Sequence, residues 1–161
     1  MEVKLMRTDD RLIHGQVMVR WVNHLKIKNI VIFDDEIADD SMLTNIFELA
    51  CPSGVELIIA KVNDGEKVKE KIEGQEESTL ILNRSPLIME KVINNGFVSD
   101  LGYNIGPMSN KPKTTKLASF CYLLDDEIQA LRNIHQKGIN VFVQTVPDAE
   151  KLEWNDIEKI I

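Results

Sequence analysis

Ile30-Val31-Ile32-Phe33 and Leu80-Ile81-Leu82 are short, uninterrupted apolar runs. A strand with one wet face alternates apolar and polar residues, whereas a strand covered on both faces has no need to. Both runs therefore read as interior strands of a parallel sheet. Working outward from them, strands are expected at Val3–Arg7, Asn29–Phe33, Val55–Lys61, Thr79–Leu82, Asp100–Asn104, Leu117–Leu123 and Asn140–Gln144. Helical patterns fill the gaps. Gln16–Leu25 carries Val17, Trp21 and Leu25 at four-residue spacing. Asp40–Ala50 opens on Asp39-Asp40-Ser41 and is stopped by Pro52. Asp64–Glu73 is more charged, and Pro86–Asn95 has Ser85 as its cap and Pro86 at the first helical position. Asp125–Lys137 begins with acids and is followed by Gly138, where a left-handed cap belongs. A last helix is expected from Asp148 to Ile161.

Strands alternating with helices are the signature of βαβ units. The expected fold is α/β: a three-layer, mostly parallel open sheet of about seven strands with helices on both faces. Gly106–Lys116 lacks clear periodicity and reads as a surface loop. No linker or repeat divides the 161 residues, so a single domain is expected over 1–161.

Composition narrows the function. A formal net charge of −7 argues against a nucleic-acid binder, which needs basic surface to meet phosphates. No apolar run approaches the roughly 20 residues that cross a bilayer, and the first residues lack the apolar stretch of a signal peptide. Two cysteines, Cys51 and Cys121, form no CxxC pair and fit a reducing cytoplasm, where both read as small packing groups. The histidines His14, His24 and His135 are scattered, with no metal-binding companions, so no metal and no dissociable cofactor is expected. His24 and His135 fall near helix C-terminal ends, where a cation suits the dipole.

In an open parallel sheet, ligands bind beyond the carboxyl ends of the strands, where the strand order reverses. The loop after the first strand reads Arg7-Thr8-Asp9-Asp10-Arg11-Leu12-Ile13-His14-Gly15-Gln16. Two guanidiniums and an imidazole thus lie within eight residues, and a helix follows at once. The arginine forks, the free amides of the helix that Gln16 opens and Gly15, without a side chain, together make an anion site, with Gln16 in a supporting place. An imidazole in such a site can also attack phosphorus and hold a phosphoryl group covalently. Composition alone leaves a salt-bridged turn equally open. Neither GxGxxG nor GxxxxGK[ST] is present. If the strand order reverses beside the first strand, the loop Asn83-Arg84-Ser85-Pro86 flanks the same crevice. Arg84 or Ser85 then contacts the phosphoryl group, or Ser85 merely caps its helix.

The stretch from Arg7 to Val17, followed by Trp21, closely resembles the opening of the IIB components of the mannose/fructose/sorbose family. These belong to the bacterial phosphoenolpyruvate-dependent sugar phosphotransferase system (PTS). Asn104-Ile105-Gly106 resembles that family's Asn-x-Gly turn after the fifth strand, and Lys137-Gly138-Ile139 through Val146-Pro147 its C-terminal strand and exit. The resemblance implies that His14 is transiently phosphorylated on Nδ1. It would receive the group from a phosphohistidine on a IIA protein or domain and pass it to a sugar held by the membrane IIC/IID pair. Arg11 and Arg7 would neutralise the phosphoryl oxygens, and Asp10 would hold Arg11 or the imidazole, while Asp9 reads equally as a solvated loop charge. The resemblance further implies a cytoplasmic homodimer that associates peripherally with the permease. A rival reading keeps the same pocket for a non-catalytic α/β regulatory protein that senses a phosphorylated ligand.

Overall fold

The computed structural model describes residues 2–161. Six strands form one parallel sheet: β1 (Glu2–Thr8), β2 (Asn29–Phe33), β3 (Glu56–Ala60), β4 (Ser78–Asn83), β5 (Tyr103–Ile105) and, numbered after the hairpin below, β8 (Val141–Val143). Their spatial order is β3-β2-β4-β1-β5-β8. All five residues of β2 and all six of β4 are buried, as their uninterrupted apolar runs require. On one face lie α1 (Gly15–Leu25), the short α2 (Asp35–Ala38) and α3 (Ser41–Ala50), over Leu5, Ile30, Ile32, Leu80 and Leu82. On the other, α4 (Gly65–Ile72), α5 (Pro86–Asn94), α6 (Asp125–Gln136) and α7 (Trp154–Glu158) cover Val31, Phe33, Ile81, Tyr103 and Ile105. The three-layer α/β architecture expected from the sequence is the one observed.

Besides the short α2 (Asp35–Ala38), where no helix is expected, three elements differ from expectation. The strand expected at Leu117–Leu123 is instead an antiparallel hairpin, β6 (Thr115–Ala118) with β7 (Cys121–Leu123), outside the main sheet. Ser119-Phe120 turns the chain between them, a break that the apolar count alone conceals. The fifth strand starts at Tyr103 rather than Asp100, because Gly102 adopts φ +92° and lies against the Asn140 carbonyl. The last helix is only Trp154–Glu158. Before it, Gln144 Nε2 donates to the carbonyls of Pro147 and Ala149, and Leu152 bridges Val143, so these residues run as an ordered turn and an extended arm. The capping chemistry is otherwise as read. Asp40 accepts from Met42 and Leu43 N–H, and Ser85 from Leu87 N–H.

Among the described residues no helix is long and apolar enough to cross a membrane. The strand order places the site. The connection after β1 leads to β2 on one side, and that after β4 leads to β5 on the other. The reversal therefore falls between the adjacent strands β1 and β4, where a crevice opens at their carboxyl ends.

Candidate functional site

β1 delivers Arg7 and Thr8 to the carboxyl edge, opposite Leu82 and Asn83 of β4 and opposite Asn104 and Ile105 of β5. Successive strand residues point to opposite faces, so Arg7 enters the α1 side and Thr8 the other. Arg7 is fully buried, at 0% exposure. One Nη donates to Gln144 O at 3.1 Å and to the Asn104 side chain; the other donates to Thr145 O at 3.2 Å and to Asp9 Oδ2 at 2.9 Å. Trp21 of α1 lies over the guanidinium, 5.4 Å from ring centroid to Cζ. Burial pulls this guanidinium below the ordinary arginine range, and the Asp9 carboxylate offsets part of that. Gly106 is required here, since a Cβ would stand 2.3 Å from Arg7 Nη2.

Asp9 is 1% exposed, not a solvated loop charge. Besides Arg7, its carboxylate accepts the Arg11 N–H at 3.0 Å, and its carbonyl accepts Leu12 N–H at 3.0 Å. This tight turn puts Leu12 at φ 56°, a left-handed conformation that a side chain adopts only at a cost of about 1–2 kcal/mol. Burial of Leu12 and Ile13 against the α1-side core offsets it. The loop is thereby held from below while its upper residues stay open.

Arg11, His14, Gly15 and Gln16 are all exposed. His14 is the residue before α1, with extended backbone, and its side chain makes no cap bond to the helix. The imidazole leaves the helix start uncapped, and while Val17 N–H donates to His14 O at 3.1 Å, a helix start offers further amides to an anion. Gly15 stands at φ +41° with open space where a side chain would be. Arg11 Nη1 lies 2.8 Å from His14 Nε2. Arginine only donates, so Nε2 is the acceptor and the neutral ring carries its proton on Nδ1.

The remaining expected residues lie around this centre. Asp10 holds neither Arg11 nor the imidazole. Its carboxylate accepts Ser109 N–H at 2.7 Å and the Ser109 hydroxyl, and its own N–H donates to Pro107 O at 3.1 Å, tying the loop to the turn after β5. Arg84 follows β4 but turns toward β2. It forms a two-bond fork with Asp34 at 2.6 and 2.9 Å, donates to Glu36 at 3.0 Å, and is pushed up by the Asp34 bond. Ser85 caps α5. Beneath the loop the Thr8 hydroxyl joins the Tyr103 hydroxyl at 2.6 Å and the Asn83 side chain at 2.7 Å. Far from the site, His135 stacks on Trp154 with ring centroids 4.2 Å apart. Burial pushes the Cys121 thiol up to about 12, which suits a packing group. Asp9 and the Asn104–Gln144 support escaped sequence reasoning. The available signal was the strand alternation, which aims Arg7 into a covered face and so demands a buried counter-charge.

Comparison with known proteins follows this geometry. The chain matches the family described as PTS system sorbose subfamily IIB component over residues 3–160. It is 27% identical over 157 residues to the PTS system mannose-specific EIIAB component of Escherichia coli (strain K12), covering 98% of this chain and 48% of that one. It therefore spans about half the length of that relative. Among solved structures, manxB from Thermoanaerobacter tengcongensis superposes with a TM-score of 0.89 at 31% identity, covering 98% of this chain and 95% of that one. The IIBSor domain of the sorbose permease from Klebsiella pneumoniae gives 0.89 at 25% identity, covering 100% and 99%. A match from residue 3 to residue 160 takes in the His14 loop, the strands that hold it and the Gly106 turn, and on that ground the chain belongs to the sorbose subfamily of PTS IIB components.

Proposed function

We propose that this chain is the phosphocarrier of a sugar phosphotransferase transporter, acting through a phosphohistidine at His14. A IIA protein or domain supplies the phosphoryl group from its own phosphohistidine, and the membrane IIC/IID pair presents the sugar hydroxyl that receives it. The chain works in the cytoplasm at the permease, with residues 1–161 acting as one IIB domain and pairing as a homodimer. The observation that carries this reading is the exposed Arg11–His14 pair, 2.8 Å apart at the uncapped start of α1.

The step is an exchange of one P–N bond for another. As the donor arrives, Arg11 leaves Nε2 for the phosphoryl oxygens. The proton on Nδ1 passes through solvent to the freed Nε2, and the Nδ1 lone pair attacks phosphorus. The bond to the donor imidazole breaks, and that ring takes back its electron pair. Phosphoryl transfer needs positioned positive charge more than covalent help, and a guanidinium fork beside α1 amides supplies it. Arg7 acts from below, fixing Asp9 and with it the turn that carries Arg11.

The test is incubation with phosphoenolpyruvate, the general phosphotransferase proteins and a IIA partner, read by intact mass. One phosphoryl mass should be added and then lost in mild acid while surviving alkali, as a phosphoramidate is. Failure to gain the mass overturns the reading, and acid-stable label moves the carrier to a hydroxyl such as Ser85 or Ser109.

A further inference from the structure

Lys111 and Lys113 occupy the loop between β5 and β6, Lys116 follows in β6, and all three are exposed. No Asp or Glu occurs from Leu101 to Leu124, in a chain with 26 acidic residues and a net charge of −7. Among the described residues none of these lysines forms an ion pair, whereas Lys4, Lys61, Lys67, Lys69, Lys71 and Lys151 all do. The Lys111 charge reaches the carboxyl group of Glu127 in α6. Burial pushes it up, and the Leu124 N–H bond and the Lys111 charge draw it back. The loop has its own order, because the Thr114 hydroxyl donates to Lys111 O and to Asn110 Oδ1. It is also fastened to the His14 loop: Asp10 grips Ser109, and Asp10 precedes Arg11, which touches His14.

From this geometry we infer that the Lys111–Lys116 segment is a docking surface for an acidic face of the phosphoryl-donor protein, tied to the His14 loop by the Asp10–Ser109 clamp. The inference rests on the phosphocarrier reading and names where its donor binds. An acidic protein repels another acidic protein except where a local patch of opposite sign meets it, and such patches raise association rates. The charge sign also selects between the two partners. Cytoplasmic loops of membrane proteins carry an excess of Lys and Arg, so the permease is repelled by this loop. The opposite flank of the crevice sets Asp34, Asp35, Glu36, Asp39 and Asp40 against Arg84 and Lys61, which pair with Asp34, Glu36 and Asp39, and this net negative sign suits it. Three unpaired ammonium groups on the segment that Ser109 ties to the His14 loop instead fit a partner that brings negative charge.

The experiment compares two triple variants with equal loss of charge. One is Lys111→Gln/Lys113→Gln/Lys116→Gln. The control is Lys26→Gln/Lys28→Gln/Lys137→Gln, whose positions lie at the amino-terminal end of the sheet. The rate of His14 labelling by a phosphorylated IIA partner is followed against donor concentration and salt. The loop variant should lose about tenfold in kcat/KM at low ionic strength, with the saturated rate unchanged, and the gap should close as salt screens it. The control should match the parent, and the three single substitutions should each take a share of the loss. Equal kcat/KM in both triples overturns the inference, as does a loss that persists at high salt. A defect confined to delivery onto the sugar assigns the loop to the permease instead, which also overturns it. If the parent chain itself never takes label at His14, the phosphocarrier reading fails, and this inference with it.

Discussion

Arg7 at the end of β1 and Arg11 in the loop that follows lie four residues apart, yet the fold gives them opposite environments. Arg7 is sealed under the loop with Asp9, Asn104, Gln144 and Thr145 around it, and Trp21 over its face. Arg11 is exposed, and its side chain touches His14. A buried cation with fixed partners holds a shape but has no freedom to follow a moving ligand. An exposed one can trade its partner at little cost. One strand end and its loop thus contain an anchor and a working group of the same residue type, told apart by burial.

The sharpest way to separate the two is to remove the acceptor. His14→Ala should abolish phosphoryl acceptance completely while stability stays within the scatter of surface substitutions, about ±0.5 kcal/mol, since the residue is exposed and makes no cap bond. Label that persists in a folded variant would place the carrier elsewhere and dissolve the contrast. The next largest effect belongs to the anchor. Arg7→Ala leaves Asp9 buried without its counter-charge and should cost about 3–5 kcal/mol in denaturant unfolding. Asp9→Ala should cost a similar amount, and the double variant much less than the sum, because each single change strands the other's charge. Additive losses would show that the two residues are not coupled.

The fold was legible because long-range order and local pattern agree: the apolar runs at Ile30–Phe33 and Leu80–Leu82 became central strands. The hairpin was missed because Leu117, Cys121 and Leu123 are apolar at positions that suit one strand as well as two, and only the Ser119-Phe120 turn divides them. The shortened last helix follows from Gln144, a residue distant in sequence that captures the carbonyls of Pro147 and Ala149. In the site, the exposed part was readable from residue types: Arg11, His14 and Gly15 follow one another at a helix start. The buried part was not, since the partners of Arg7 come from β5 and from the segment after β8. Asp9 and Asp10 illustrate the limit. They are adjacent and chemically identical, but one neutralises Arg7 inside and the other clamps Ser109 outside.

A smaller effect tests the working group by its geometry. Arg11→Lys keeps the charge but replaces a planar fork with a point charge, which cannot bridge two phosphoryl oxygens. Single-turnover transfer from a phosphorylated IIA partner should slow by at least about tenfold, equivalent to roughly 1.4 kcal/mol of transition-state stabilisation. The melting temperature should barely change, in contrast with Arg7. A wild-type rate would reduce Arg11 to a local counter-charge.

The smallest effect concerns the far wall of the crevice, where Arg84 and Ser85 follow β4. Both stand beside the switch point, and both are already engaged: Arg84 by Asp34 and Glu36, and Ser85 by the Leu87 N–H. A hydroxyl that caps a helix satisfies one of its orphan donors, and its loss costs about 1 kcal/mol. Ser85→Ala should therefore lower stability by about that amount and leave single-turnover transfer to His14 at the parent rate. Pro86 at the first helical position still starts α5 in the variant, so the loop should keep its course. The pairing of effects is what makes the measurement decisive. A capping role moves the melting curve alone, whereas a hydroxyl that donates to the phosphoryl group moves the transfer rate as well. A slowed Ser85→Ala, with its stability restored by Ser85→Thr but its rate not, would extend the working surface of the loop across the crevice to β4.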